Sequence, residues 1–374
     1  MDSVEISLLT CSPHEEIYSL YGHTAIRIHD LRNGEDVAVN YGMFSFKKPY
    51  FVLRFVFGLT DYEMAIEPFE IFCRQYQHYG SSVTQQVLNL TNEDKWQIIN
   101  AVNINYMPEN SVYRYNYFYD NCTTRAIDML VNHIQNAQVV YEGVQHDYPT
   151  FREMVHECTA HHPWTSFGND MLLGVQADHR TSKREWQFLP GNAMDDFDHA
   201  LIVRNDGTRM PLVNRKETVV TAGTQIVEED FPLRPRSVFL IVLSITVAIT
   251  VMEMFSKKAM WGYDALMMVL CGLAGIILFL MLFSQHPTVR INFQLLLLNP
   301  LPLFFIWRMV KRVQKQQKDW QYAGWIILIC LFIIGGIWQQ YAEGMYLLAS
   351  SLLIRNVFCM TRQRRFVTNK SQRD

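Results

Sequence analysis

The sequence lacks the signatures of several chemistries. It has no C-x-x-C pair and no H-E-x-x-H helix, and the neighbouring His161 and His162 cannot share a helix face. Zinc ribbons, thioredoxin-type redox motifs and catalytic metal helices are therefore set aside, and no metal or cofactor is expected. An excess of basic charge is missing too: the net charge of the 374 residues is -3, so a nucleic-acid partner is not expected. No internal repeat or low-complexity tract is present. No secretory leader is expected ahead of the folded part, since Met1-Asp2-Ser3-Val4 runs straight into strand-like sequence. The expectation is that a leader has been removed or that something else exports the domain.

Charge is also scarce in one place. Charged residues make up 18% of the whole, yet they crowd into the first part and nearly vanish from long stretches after Pro235. Five apolar runs follow, at about 238–255, 263–283, 293–310, 322–338 and 345–358. Each approaches the ~20 residues that a helix needs to cross the hydrocarbon layer, the third and fifth being marginal. Basic residues close or follow the odd-numbered runs: Lys257 and Lys258, then Arg308, Lys311, Arg312, Lys315 and Lys318, then Arg355, Arg362, Arg364, Arg365, Lys370 and Arg373. The intervening loops hold only Arg290. Positive charge marks the cytoplasmic side, so the C-terminus is expected inside and the N-terminal domain outside the cytoplasm. Trp261, Trp307, Trp320, Trp338 and Tyr341 sit near the expected ends as interfacial aromatics, and Asn299-Pro300-Leu301-Pro302 must kink or break the third run. The expected division is a domain at 1–235 and an all-α transmembrane bundle at 236–374.

The first part reads as α+β. Strands are expected at 3–9, 23–28 and 37–46, with Asn33-Gly34 closing a hairpin, and at 82–90. Helices are expected at 12–20, 68–79 and after Thr91, the last bearing Trp96, Ile99 and Val102. Residues 113–119 are β-prone, and Asp120-Asn121 caps a helix from Cys122 to about Ile134. A further helix is expected from Pro190 through Ile202, and 219–228 leads to the membrane.

That cap places Cys122 in the first turn of a helix, where backbone N–H groups and the helix dipole favour thiolate. A nucleophile also needs an imidazole within reach and a polar group that fixes the ring. His23 at a strand start suits the base, and Asn40 on the return strand suits the orienting group. Taken singly, each has a plainer reading: a small buried thiol, a lone histidine, a turn residue. Their order, and the residues around them, weigh against that.

Leu9-Thr10-Cys11-Ser12-Pro13, Tyr21-Gly22-His23-Thr24-Ala25-Ile26-Arg27, Asn40-Tyr41-Gly42-Met43-Phe44 and Asp120-Asn121-Cys122-Thr123-Thr124-Arg125 resemble the motifs of the Lnb lipoprotein N-acyltransferase family. The resemblance covers residues 5 to about 200 by motif and the remainder by architecture. The order of histidine before cysteine is also similar to NlpC-related, circularly permuted papain-like enzymes, including the lecithin retinol acyltransferase group. The resemblance implies Cys122 as nucleophile, His23 as base and Asn40 as orienting residue. It places Tyr21, Tyr41, Asp120, Asn121 and Arg125 as oxyanion or head-group candidates, Asp178 and Phe188-Leu189-Pro190 as structural, and Cys11 as packed.

The implied reaction moves an acyl chain, through a Cys122 thioester, from a glyceryl ester to the N-terminal amine of a diacylglyceryl-modified bacterial lipoprotein. The donor is that lipoprotein's own ester or a membrane phospholipid. One rival is a membrane-anchored cysteine hydrolase, a phospholipase or peptidase with water as acceptor. A second, of another class, is a non-enzymatic membrane receptor in which Cys122 is merely packed.

Overall fold

A computed structural model describes residues 1–44, 49–142, 147–225, 231–256 and 258–371. Phe46, residues 226–228, Lys257 and Arg373, used in the expectations above, lie outside the described residues. The chain divides into two units, Met1–Cys158 with Arg180–Glu228, and Thr159–His179 with Glu229–Asp374. Where the sequence suggests one boundary near 235, residues 159–179 group with the membrane helices.

The first unit is built on antiparallel strands: β1 (Val4–Cys11), β2 (His23–Asp30), β3 (Glu35–Met43), β4 (Asp61–Pro68), β5 (Val83–Leu88), β6 (Val112–Arg114), β7 (Ala137–Tyr141), β8 (Ala200–Arg204), β9 (Arg209–Pro211) and β10 (Val213–Val220). A seven-stranded sheet runs β10-β5-β1-β2-β3-β4-β6, and β7-β8-β9 form a small second sheet. The β2–β3 hairpin turns at Asn33-Gly34, where Gly34 takes φ 77°. Asn33 Oδ1 accepts the Glu35 N–H at 2.9 Å there.

Helices α1 (Phe51–Val56), α2 (Phe69–Tyr79), α3 (Asn92–Tyr106) and α4 (Cys122–Val131) follow in chain order. α3 starts with a capping box between Thr91 and Asp94. It buries Ile98 and Val102, whereas Trp96 is 50% exposed and takes no part in the core. Alternation along the central strands builds two cores. Ile6, Leu8, Ile26, Val39 and Tyr41 pack with Ile98 and Val102 of α3 and Ala126, Ile127 and Leu130 of α4. Leu9, Cys11, Ala25 and Ala38 pack with Phe69, Phe72 and Tyr76 of α2.

Three sequence expectations are corrected in this unit. The helix expected at 12–20 is only a 3-10 turn at Ile17–Ser19. Of the β-prone run 113–119, Tyr113 and Arg114 belong to a strand, because Asn116 Oδ1 accepts the N–H groups of Phe118 (3.2 Å) and Tyr119 (3.3 Å) and closes a turn. The helix expected through Ile202 stops at Asp198, and residues 200–204 pair instead as β8.

In the second unit, Pro235–Ser256, Trp261–Met281 and the stretch Pro287–Gln314 are long and apolar enough to cross a membrane. Gln321–Gly335 is apolar but shorter, and Met345–Ser371 carries Arg355 and Asn356 in mid-helix. Among the described residues, three candidate spans thus stand where the sequence suggests five. The Asn-Pro-Leu-Pro break falls as expected: the regular helix begins at Leu301, preceded by a 3-10 turn at Phe293–Leu296. Charge inside this bundle is paired, Arg355 binding Asp264 (2.8 and 2.9 Å) and Glu253 (2.8 Å). Trp307, Trp320 and Trp338 are exposed, as interfacial aromatics should be, but Tyr341 is buried and stacks on Phe332 at 4.1 Å.

The grouping of 159–179 with these helices has a local cause. Helix Pro163–Leu172 ends in carbonyls that need donors. Side-chain amides supply them: Gln294 to Asp170 O (2.7 Å), Asn292 to Met171 O (2.8 Å) and Gln339 to Leu173 O (3.1 Å).

Candidate active site

Strand register explains how three side chains come to lie in a row. Ala25 pairs with Asn40 across β2–β3, and Asn40 with Ala65 across β3–β4. His23 and Glu67 each lie two residues from those partners, so they share Asn40's face as diagonal neighbours. A slip of one residue would turn Asn40 to the other face. His23 Nε2 lies 3.0 Å from Asn40 Oδ1, and Asn40 Nδ2 donates to Glu67 Oε1 at 2.5 Å. Because Glu67 can only accept when ionised, it takes the amide's N–H and leaves Oδ1 for the ring. His23 must then donate from Nε2, so the neutral ring keeps its lone pair on Nδ1. Glu67 was not singled out from the sequence. The register of β4 against β3 is the signal that finds it, and an isolated sequence does not display it.

α4 brings the thiol. Asn121 is its N-cap, its side-chain oxygen accepting from Thr123 N (3.0 Å) and Thr124 N (2.9 Å), while its amide donates to Tyr117 O and Phe188 O. The cap leaves the N–H of Cys122 without a partner among the described residues. The helix seats against β2 through a buried hydroxyl pair, Thr24 and Thr123, at 3.0 Å. β3 bulges between Asn40 and Met43, and Gly42 there takes φ 86°. A left-handed backbone of this kind suits glycine, and the bulge brings the strand close to Cys122.

Electrostatics single out one thiol. Burial alone would push Cys122 up. The charge and hydrogen bond of His23, with smaller help from the Thr24 N–H and the Thr123 hydroxyl, bring it from 9.0 down to about 7. Burial opposes charge on His23, but the Cys122 thiolate, the hydrogen bonds to Cys122 and Asn40, and Glu67 outweigh it and raise its pKa. The other thiols of this unit move the opposite way: burial pushes Cys73 and Cys158 up to about 11 and Cys11 higher still. Cys122 and His23 also remain partly exposed, so a substrate can reach them.

The remaining sequence candidates spend their polar atoms elsewhere. Tyr41 donates to Asn105 Oδ1 at 3.0 Å, next to Asn40 in sequence but on the opposite side of the strand. Asp120 and Arg125 form a two-pronged pair at 2.6 and 2.8 Å, and the Arg125 guanidinium lies 3.5 Å over the Tyr113 ring. The Tyr21 ring meets Tyr117 edge-on at 5.1 Å.

Comparison with known families adds two matches. Residues 1–156 match the Lnb N-terminal periplasmic domain, and residues 226–365 match the Lnb transmembrane domain. The chain belongs to the Lnb family. No curated protein and no solved structure matches it. As an Lnb-family member it is a lipoprotein-processing integral membrane protein, with its sheet-rich domain on the periplasmic side and lipoprotein substrates in the membrane.

The candidate site yields one prediction that depends on Glu67. Glu67→Gln keeps an oxygen to accept from Asn40, whereas Glu67→Ala leaves the amide free to rotate. Activity should fall in the order wild type, Gln, Ala, with the alanine loss on the order of tenfold or more, as for other groups that orient a histidine's partner. Initial rates of Cys122 acylation by an activated ester, measured on the full chain in detergent, check this. Equal rates for the two variants would remove Glu67 from the orienting chain.

Proposed function

We propose that this chain is a lipoprotein N-acyltransferase working through Cys122, His23 and Asn40. The Cys122 thiolate attacks the carbonyl carbon of a glyceryl ester. The ester C–O bond breaks, the acyl chain stays on sulfur, and the glyceryl oxygen leaves with a proton from the His23 imidazolium. A lipoprotein's free N-terminal amine then attacks the thioester, losing its proton to His23 and restoring the thiolate. Dividing the transfer this way replaces one difficult step by two easier ones.

The observation that carries this reading is the lowered thiol of Cys122 beside an imidazole whose tautomer Asn40 and Glu67 dictate. A nucleophile, a base and an orienter are what acyl transfer requires. The order of strand histidine, strand asparagine and helix cysteine supports a permuted papain-like arrangement. We further read residues 1–235 as the thiol acyltransferase domain and 236–374 as five membrane crossings with a cytoplasmic C-terminus, Gln321–Gly335 and Met345–Ser371 crossing with the three candidate spans. Alternating basic ends support that topology.

The test uses the full chain in phospholipid vesicles with a diacylglyceryl-cysteine lipopeptide. Transfer from the peptide's own glyceryl ester leaves its mass unchanged but moves one acyl chain from oxygen to nitrogen, which fragment ions distinguish. Transfer from phospholipid adds one acyl mass. Release of free fatty acid with an unmodified amine would instead establish a hydrolase.

A further inference from the structure

Tyr113 of β6 presents a hydroxyl that the mechanism above does not use. Its side chain is 7% exposed, and its Oη has no hydrogen-bond partner among the described residues. Unpartnered buried hydroxyls are unusual enough to require an explanation. The hydroxyl lies over the β3 bulge: a Cβ built on Gly42 would stand 3.9 Å from Tyr113 Oη and 3.7 Å from Cys122 Cβ. The two side chains therefore border the same small space. The Gly42 N–H is near enough to influence the phenol without making a hydrogen bond of ordinary geometry.

The ring is held in place. Arg125 covers it at 3.5 Å, and Asp120 grips that guanidinium through two hydrogen bonds. Burial and the Cys122 charge raise the phenol's pKa against the opposing Arg125 charge, so the hydroxyl stays protonated and available as a donor.

We propose that Tyr113 Oη is an oxyanion donor, completing with the Cys122 backbone N–H a two-donor cradle for the carbonyl oxygen of the bound ester. This rests on the acyltransferase reading. As sulfur bonds to the carbonyl carbon, the π pair moves onto oxygen, and that oxygen draws the two donors. On collapse the pair returns, the ester C–O bond breaks and the donors are released. Asp120 and Arg125, motif residues without a chemical role of their own in this scheme, become positioning residues that fix the donor. A resting hydroxyl without a partner has no hydrogen bond to give up when charge develops, which is what preorganisation requires.

Tyr113→Phe removes one oxygen atom and no described hydrogen bond. Two probes of the full chain in detergent then separate the roles. Acylation of Cys122 by a p-nitrophenyl ester passes through an oxyanion, whereas alkylation by iodoacetamide displaces iodide from a saturated carbon and makes none. We expect the variant to lose about a hundredfold or more in acylation rate, with the rate and pH midpoint of alkylation unchanged. Wild-type acylation by the variant would overturn the proposal, and so would equal losses in both reactions, since these mean a disturbed thiol. If wild-type Cys122 itself takes no acyl group from the ester, the acyltransferase reading fails first, and that outcome is distinguishable because it needs no variant.

Discussion

Replacing Cys122 with alanine should lower acyl transfer by on the order of 10⁴-fold or more, since loss of a nucleophile removes the covalent route altogether. The fold should survive. The cap at the start of α4 is made by Asn121 with Thr123 and Thr124, so the sulfur is not part of what holds the helix. The variant should therefore show unchanged circular dichroism and unchanged membrane insertion. Fragment-ion analysis of lipopeptide N-termini measures the loss, and transfer within tenfold of wild type would leave Cys122 as a packed thiol in a membrane protein of another kind.

His23→Gln should shift the thiol. The glutamine amide can still donate to Asn40 Oδ1, but it carries no charge. Burial is the largest influence on Cys122 and pushes it up; His23 is the largest influence that brings it down to about 7. Removing the imidazole therefore returns the thiol to its ordinary 9.0 or above. At pH 7 a thiol of pKa about 7 is half ionised, and one of pKa about 9 is about 1% ionised, so alkylation should slow about fiftyfold. The sign is definite: the rate lost at pH 7 is recovered as pH rises through 9. A pH profile of iodoacetamide labelling reads this directly, and an unmoved midpoint would mean that His23 does not activate the thiol.

Much of the candidate site was legible because local signals are strong around it. Asn121 declares itself as a cap by residue type and by the apolar periodicity after it, and the structure bears out the helix start at Cys122. Asn33-Gly34 likewise declares the hairpin that sets His23 and Asn40 on adjacent strands. Glu67 and Tyr113 were not legible, for one reason. Each reaches the site through β4, which pairs with β3 on one edge and β6 on the other, and no local pattern encodes which strands meet or in what register. Tyr113 was further hidden in an aromatic run that alternates like a long strand, although Asn116 ends the pairing. Trp96 and Tyr341 show the same limit: periodicity and hydropathy place an aromatic near a face or an end, but neighbours decide which side it buries.

The membrane half was readable in outline. Apolar length finds helices well when they are uninterrupted, as at Pro235–Ser256 and Trp261–Met281. It could not foresee that residues 159–179, from the middle of the polar part, join the membrane unit through amides of Asn292, Gln294 and Gln339. Those contacts are made by polar residues at loop ends, which carry no periodicity.

The most direct measurement is the mass of the protein itself, trapped after the first half-reaction. Full-length chain in phospholipid vesicles, given a diacylglyceryl-cysteine lipopeptide whose amine is blocked, should accumulate one acyl chain. That chain should be removable by neutral hydroxylamine, as a thioester is, and should map to the peptide containing Cys122. An acyl group on any other residue, or no adduct from a preparation that transfers acyl chains when the amine is free, would contradict the account.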